Sequence, residues 1–207
     1  LAQGAPEEEL TADVRAGYTG VIAVLRCGEG PTVAMRFDID ALPMTECPLN
    51  MHRPTREGFA SENPGMMHAC GHDGHAAIGL GVARILMAHR DALHGTVKLI
   101  FQPAEEIGSG TRAFLEAGVM QGVDRAFGLH VAPDLPAGKV GLKPGLNNAS
   151  VDHFTVRVQG KAAHVSTPQL GADALYIACQ TVVALQALVT RCTSPVEPVI
   201  IGVGKLQ

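Results

Sequence analysis

Short apolar runs recur along the first part of the chain, at Val21–Leu25, Val33–Phe37, Val97–Phe101 and Ala126–Val131. They scarcely alternate with polar residues, which is the pattern of strands covered on both faces. Between them the spacing lengthens to the helical period. Ile78, Val82, Ile85 and Leu86 form a single stripe, predicted to face inward. A shorter helix is predicted over Thr111–Ala117, stopped by Gly118. Alternation of strands and helices predicts a three-layer α/β/α domain. The texture changes around Pro144–Asn148, where Lys143-Pro144-Gly145 and Asn147-Asn148 are loop chemistry. His153, Thr155, Arg157 and Gln159 then alternate with Phe154, Val156 and Val158, predicting a strand with one wet face. A long helix is predicted from about Ala172 to Thr190, with Leu175, Cys179, Val182, Leu185 and Val189 inward, and a further strand from Val199. Residues 1–147 are therefore expected to form one domain and residues 148–207 the start of a smaller α+β domain with a one-sided sheet.

Composition narrows the function classes. The chain has 207 residues, 17% of them charged, and a formal net charge of -4. With no Lys- or Arg-rich run, it offers neither nucleic acid nor an anionic membrane a footprint. Contiguous apolar runs such as Val199–Val203 are too short to span a bilayer. Cys27, Cys47, Cys70, Cys179 and Cys192 are scattered and odd in number, which speaks against a disulfide framework and for a reducing, cytoplasmic setting. Leu1 in place of an initiating Met, and Gln207 in an expected strand, predict that both ends are cut.

Four segments carry candidate chemistry, each at the expected carboxyl end of a strand, where open α/β sheets place ligands. Asp38 and Asp40 leave the strand at Val33 two residues apart; alone, such a pair also fits a solvated turn. His68-Ala69-Cys70-Gly71-His72-Asp73-Gly74-His75 precedes a helix and concentrates thiolate and imidazole donors suited to zinc-like metals. Such turns also occur without metal, and Asp73 is equally a helix cap. Glu105 and Glu106 follow the strand Val97–Phe101. Neighbouring carboxylates there need a positive partner or a surface loop. His130 ends the fourth run, where a lone histidine is most simply a hydrogen-bonded core residue. Together, Cys, His, Glu and His suit one or two borderline-soft divalent cations, and a free carboxylate beside them suits a general base.

The strings Arg36-Phe37-Asp38-Ile39-Asp40-Ala41-Leu42-Pro43-Met44-Thr45-Glu46, Met66-Met67-His68-Ala69-Cys70-Gly71-His72-Asp73-Gly74-His75, Phe101-Gln102-Pro103-Ala104-Glu105-Glu106 and Gly128-Leu129-His130-Val131 resemble the co-catalytic metallopeptidase family of aminoacylase and glutamate carboxypeptidase. Within it the likeness is to hippurate hydrolase and the plant auxin–amino-acid conjugate hydrolases. The stretch from Val151 to His164 resembles that family's second domain. The resemblance implies Cys70, His72, Glu106 and His130 as metal ligands, Glu105 as general base, and Asp38 and Asp40 as orienting carboxylates. It implies that His164 reaches a partner subunit's site to hold a substrate carbonyl or carboxylate. It further implies two zinc or manganese ions per subunit, a homodimer formed through the smaller domain, and hydrolysis of N-acyl amino acids. A dipeptidase, a deacetylase of the N-acetyl-diaminopimelate type, and an inactive metal-binding remnant are the alternatives. In that family a fifth ligand, a histidine, lies past the point where this chain stops. Val165-Ser166-Thr167-Pro168 and Asn147-Asn148 depart from the family's pattern, which bears on substrate preference.

Overall fold

A computed structural model describes residues 19–145, 150–194, 196, 197 and 199–207. The chain divides into two compact units, Leu1–Ala137 and Gly138–Gln207. The expected boundary at residues 147 and 148, with its Asn pair, lies outside the described residues.

The first unit is built on a four-stranded mixed sheet of β1 (Val21–Arg26), β2 (Thr32–Asp38), β3 (Thr96–Gln102) and β4 (Arg125–Gly128), in the order β1-β3-β2-β4. β1 runs antiparallel to β3, and β2 is parallel to both β3 and β4. Apolar density separates the centre from the edges. β2 and β3 bury Ala34, Phe37, Leu99 and Ile100, whereas every residue of β4 is exposed and β1 is covered only in part. β4 also stops at Gly128, so His130 stands beyond the ladder rather than in a strand reaching Val131.

Between β2 and β3 lie a short helix α1 (Arg53–Glu57) and the long helix α2 (His72–Ala88). The buried face of α2 is His72, His75 and Gly79, continued by the half-buried Val82 and Leu86. Ile78 and Ile85, expected inward, are 42% and 63% exposed. The reason is close packing. A Cβ on Gly79 would stand 2.6 Å from the Phe101 ring and 3.0 Å from that of Phe37, so only glycine lets α2 approach the stacked Phe37–Phe101 pair. Asp73 lies in the first turn and makes no cap; Gly71, at φ 86°, holds the N-cap position. After β3, α3 (Gly110–Glu116) ends just before Gly118, which has φ 73°. Phe114 of α3 and Val119 pack against Ala34 and Ile100.

In the second unit α4 spans Ala174–Arg191, capped by the Asp173 carboxylate accepting from the Tyr176 N–H at 3.0 Å. Its covered stripe is Ala174, Ala178, Thr181, Val182, Leu185 and Val189. Leu175 and Cys179, expected inward, face solvent instead. α4 is long and apolar enough to cross a membrane by length and composition alone. Segments 152–158 and 202–207 line one groove with this stripe, but neither is a strand. Their alternating pattern supplies side chains for a sheet face; the ladder hydrogen bonds that define a strand are missing there, and Phe154 and Val156 are 62% and 55% exposed. A bridge between Lys161 and Ala172, with both hydrogen bonds at 2.9 Å, closes the loop that carries His164.

Candidate metal centre

β2, β3 and β4 deliver the site at their carboxyl ends. β3 and β4 flank β2 on opposite sides, so their connections diverge there and open a crevice. Asp38 closes β2, and Asp40 follows. Glu105 and Glu106 follow β3 in a turn reached through Ala104, a non-glycine residue at φ 57°. That strained backbone is held by the Gly110 N–H donating to the Ala104 carbonyl at 3.1 Å. A Cβ on Gly110 would lie 1.7 Å from the Pro103 oxygen, so glycine is required for α3 to begin against this turn. His72 and His75, three apart, share one face of α2.

The hydrogen bonds fix which nitrogen of each histidine is free. His72 Nδ1 faces two oxygens, the Asp40 carbonyl at 3.0 Å and Asp40 Oδ1 at 3.1 Å, so Nδ1 carries the proton. Its Nε2 lone pair then points toward Glu106 Oε1 at 3.7 Å and Asp38 Oδ2 at 4.0 Å. His130 Nδ1 donates to the Val131 carbonyl at 2.6 Å, leaving Nε2 toward Cys70 Sγ at 3.4 Å. Asp40 Oδ2 also accepts from the Glu106 N–H at 3.0 Å, so one carboxylate orients two of the expected ligands.

Asp38 Oδ2, His72 Nε2 and Glu106 Oε1 are buried and take no hydrogen bond, although Arg36 Nη2 stands 3.1 Å from Asp38 Oδ2 as an ion pair. Unpaired buried polar atoms cost on the order of 1–3 kcal/mol each. His72 Nε2 and Glu106 Oε1 are acceptors facing each other, an arrangement that a cation reconciles. Cys70, His72 and His130 offer ligand atoms within 4.8 Å of one another, and so do His72, Glu105 and Glu106. Burial and the neighbouring carboxylates of Glu106, Glu105 and Asp38 push the Cys70 thiol up to about 11. That is the same negative field felt at the sulfur. Burial works against ionisation of Asp38, but the His75 hydrogen bond and the charge of Arg36 oppose it, and the carboxyl is held below its ordinary range. The residues therefore fit divalent cations.

The structure brings together Asp38, Asp40, Cys70, His72, Glu105, Glu106 and His130. His164 belongs to the second unit. There its Nδ1 accepts from the Ser166 N–H at 3.2 Å and lies 2.7 Å from Ser166 Oγ. Its Nε2 is thus the N–H end, opposite in sense to His72 and His130. Sequence reading underrated two residues: His75, signalled by its three-residue spacing from His72, and Arg36, which alternates with Asp38 along β2.

The model of peptidase family M20/M25/M40 matches residues 34–198. The chain belongs to this family. An indole-3-acetyl-aspartic acid hydrolase of Enterobacter agglomerans is 49% identical over 188 residues, 90% of this chain and 43% of that protein. An N-acetyl-L-cysteine deacetylase of Bacillus subtilis (strain 168) is 45% identical over 190 residues, 91% of this chain and 44% of the relative. The crystal structure of a dinuclear metal binding peptidase of the M20 family from Bacillus subtilis is 51% identical with a TM-score of 0.55, over 61% of this chain and 33% of that one. The chain thus spans less than half the length of these curated relatives. The M20 fold is present as a mixed sheet with packed helices.

Proposed function

We propose that the protein carrying this chain is a metal-dependent amidohydrolase that cleaves N-acyl amino acids to a carboxylic acid and a free amino acid. The observation that carries the reading is the convergence of buried, unpaired lone pairs on His72 and Glu106 with those of Cys70 and His130, beside the carboxylate of Glu105. Cys70, His72, Glu106 and His130 would hold two divalent ions, zinc or manganese; the dinuclear relative supports the number. Such ions, when bound, acidify a water and polarise the scissile carbonyl. Glu105 takes the proton from the attacking water at a carboxylate oxygen and delivers it to the leaving amine nitrogen. Asp40 keeps His72 in the tautomer that ligates. His164, presented by a second copy, gives its Nε2–H to the carbonyl oxygen as charge develops there.

In this reading residues 1–147 are part of a three-layer α/β/α catalytic domain. Residues 148–207 begin an inserted α+β domain through which two copies pair, with the exposed Leu175, Tyr176 and Val183 of α4 as the apolar surface available for it. The five free thiols favour the cytoplasm. The test is amino-acid release by the full-length protein from benzoylglycine, N-acetylcysteine, indole-acetyl-aspartate and an unblocked dipeptide, each with and without chelator. Chelator-sensitive release from the acylated compounds is expected. Release only from the dipeptide would assign a dipeptidase, and release from none would refute the proposal.

A further inference from the structure

His75 is fully buried, lies inside the metal centre, and has no role in the chemistry described above. Its Nδ1 hydrogen-bonds Asp38 Oδ1, and its Nε2 accepts from the Val131 backbone N–H at 2.8 Å. A backbone N–H can only donate, so Nε2 is the lone-pair end and Nδ1 carries the proton. Both nitrogens are occupied. His75 has ligand-like proximity to Asp38 and His72, yet it keeps no lone pair for a cation. Behind it, Asp38 is braced by Arg36, whose Nε donates in turn to Gln102 Oε1 at 2.9 Å. A polar chain therefore runs from strand β2 through helix α2 to the loop after β4.

That loop is where positioning is needed. β4 ends at Gly128, so no ladder holds residues 129–131. Val131 instead uses both of its backbone polar groups around His130. Its N–H goes to His75, and its C=O accepts from His130 Nδ1. Its side chain meets Gly71, where a Cβ would stand 2.5 Å from Val131 Cγ2.

We propose that His75, locked in its Nδ1–H form by Asp38, is a positioning residue that clamps Val131 and so aims the Nε2 lone pair of His130 at the point shared with Cys70. The clamp rests on the reading of His130 as a ligand, but its geometry can be measured without metal. His75→Asn keeps a donor for Asp38 and loses the acceptor for Val131, whereas His75→Gln keeps an acceptor near the Nε2 position. In metal-free full-length protein, nitrogen-15 histidine spectra should show His75 as the single Nδ1–H tautomer. Exchange of the Val131 amide should speed up at least about tenfold in His75→Asn. Zinc affinity at one of the two sites, measured by competition with a chromophoric chelator, should fall about 10–100-fold in His75→Asn and recover largely in His75→Gln. An Nε2–H tautomer, or an unchanged Val131 exchange rate, would overturn the clamp, and the tautomer decides on the unmodified protein even if a variant fails to fold. A protected Val131 in a protein that binds no zinc would leave the clamp standing and overturn the ligand reading instead.

Discussion

Glu105 and Glu106 are neighbours for which we propose separate tasks, and their surroundings differ. Glu106 is tied through its N–H to Asp40 and directs a buried oxygen at His72, as a ligand must. Among the described residues Glu105 has no such tether, which leaves it free for the proposed proton transfer. Glu105→Gln should therefore lower kcat by about 10²–10⁴-fold, the usual worth of a general base, while metal content by elemental analysis stays at the level of the unmodified protein. Loss of metal together with rate would instead make Glu105 a ligand. Asp40→Asn tests the orienting carboxylate, because it replaces an oxygen facing His72 Nδ1 with an amide that can present a donor there. We expect weaker zinc binding by about 10–100-fold, measured by competition with a chelator, and affinity equal to that of the unmodified protein would remove Asp40 from the site. The strings that converge on the candidate site were legible at this scale because Cys, His and Glu crowd into them. The contacts of Arg36 and His75 were not, since spacing can place His75 beside His72 but a linear pattern does not say which atom each neighbour occupies.

Secondary elements show where pattern suffices and where it does not. β2 and β3 could be read from their apolar runs because both lie in the middle of the sheet, and the cores of their predicted spans agree with the observed ones. The inward face of α2 could not, since its closest contacts are a glycine and two histidines that an apolar stripe ignores. Replacing Gly79 with Ala should destabilise the protein by roughly 1–3 kcal/mol through overpacking against Phe37 and Phe101, measured by denaturant unfolding; a neutral result would mean that α2 shifts freely. The predicted strands of the second unit failed for a different reason. Alternation describes how side chains are distributed, and a strand also needs a hydrogen-bonded neighbour. The loop between β2 and α2 offers a pH test. Glu46 is held below its ordinary range, first by the hydrogen bond from His52 and then by the Ser61 N–H, with the charges of His52 and His68 adding to them. A depressed folded value means that the stabilisation is present above the usual glutamate range and is lost as pH falls through the lowered value. Protease cleavage between residues 46 and 61 should rise as pH is lowered from about 6 to about 3, and Glu46→Gln should show that susceptibility already at the higher pH. A pH-independent cleavage rate in the unmodified protein would exclude this role.

For the molecule as a whole, a parallel βαβ core converts chain order into site geometry. Residues far apart in sequence meet because β2, β3 and β4 end on one side of the sheet, and the diverging connections around β2 leave room between them. The second unit carries His164, whose hydrogen-bonding sense is opposite to that of His72 and His130; in the proposed reaction it would serve the site of a second copy. The central claim is that Cys70, His72, Glu106 and His130 aim their lone pairs at bound cations. The most direct measurement is cobalt(II) titration of the chelator-stripped full-length protein, followed by visible and near-ultraviolet absorption. The account predicts saturation at two cobalt ions per chain, with a thiolate-to-cobalt charge-transfer band that disappears in Cys70→Ser. A protein that binds no cobalt, or whose charge-transfer band survives that substitution, would contradict it.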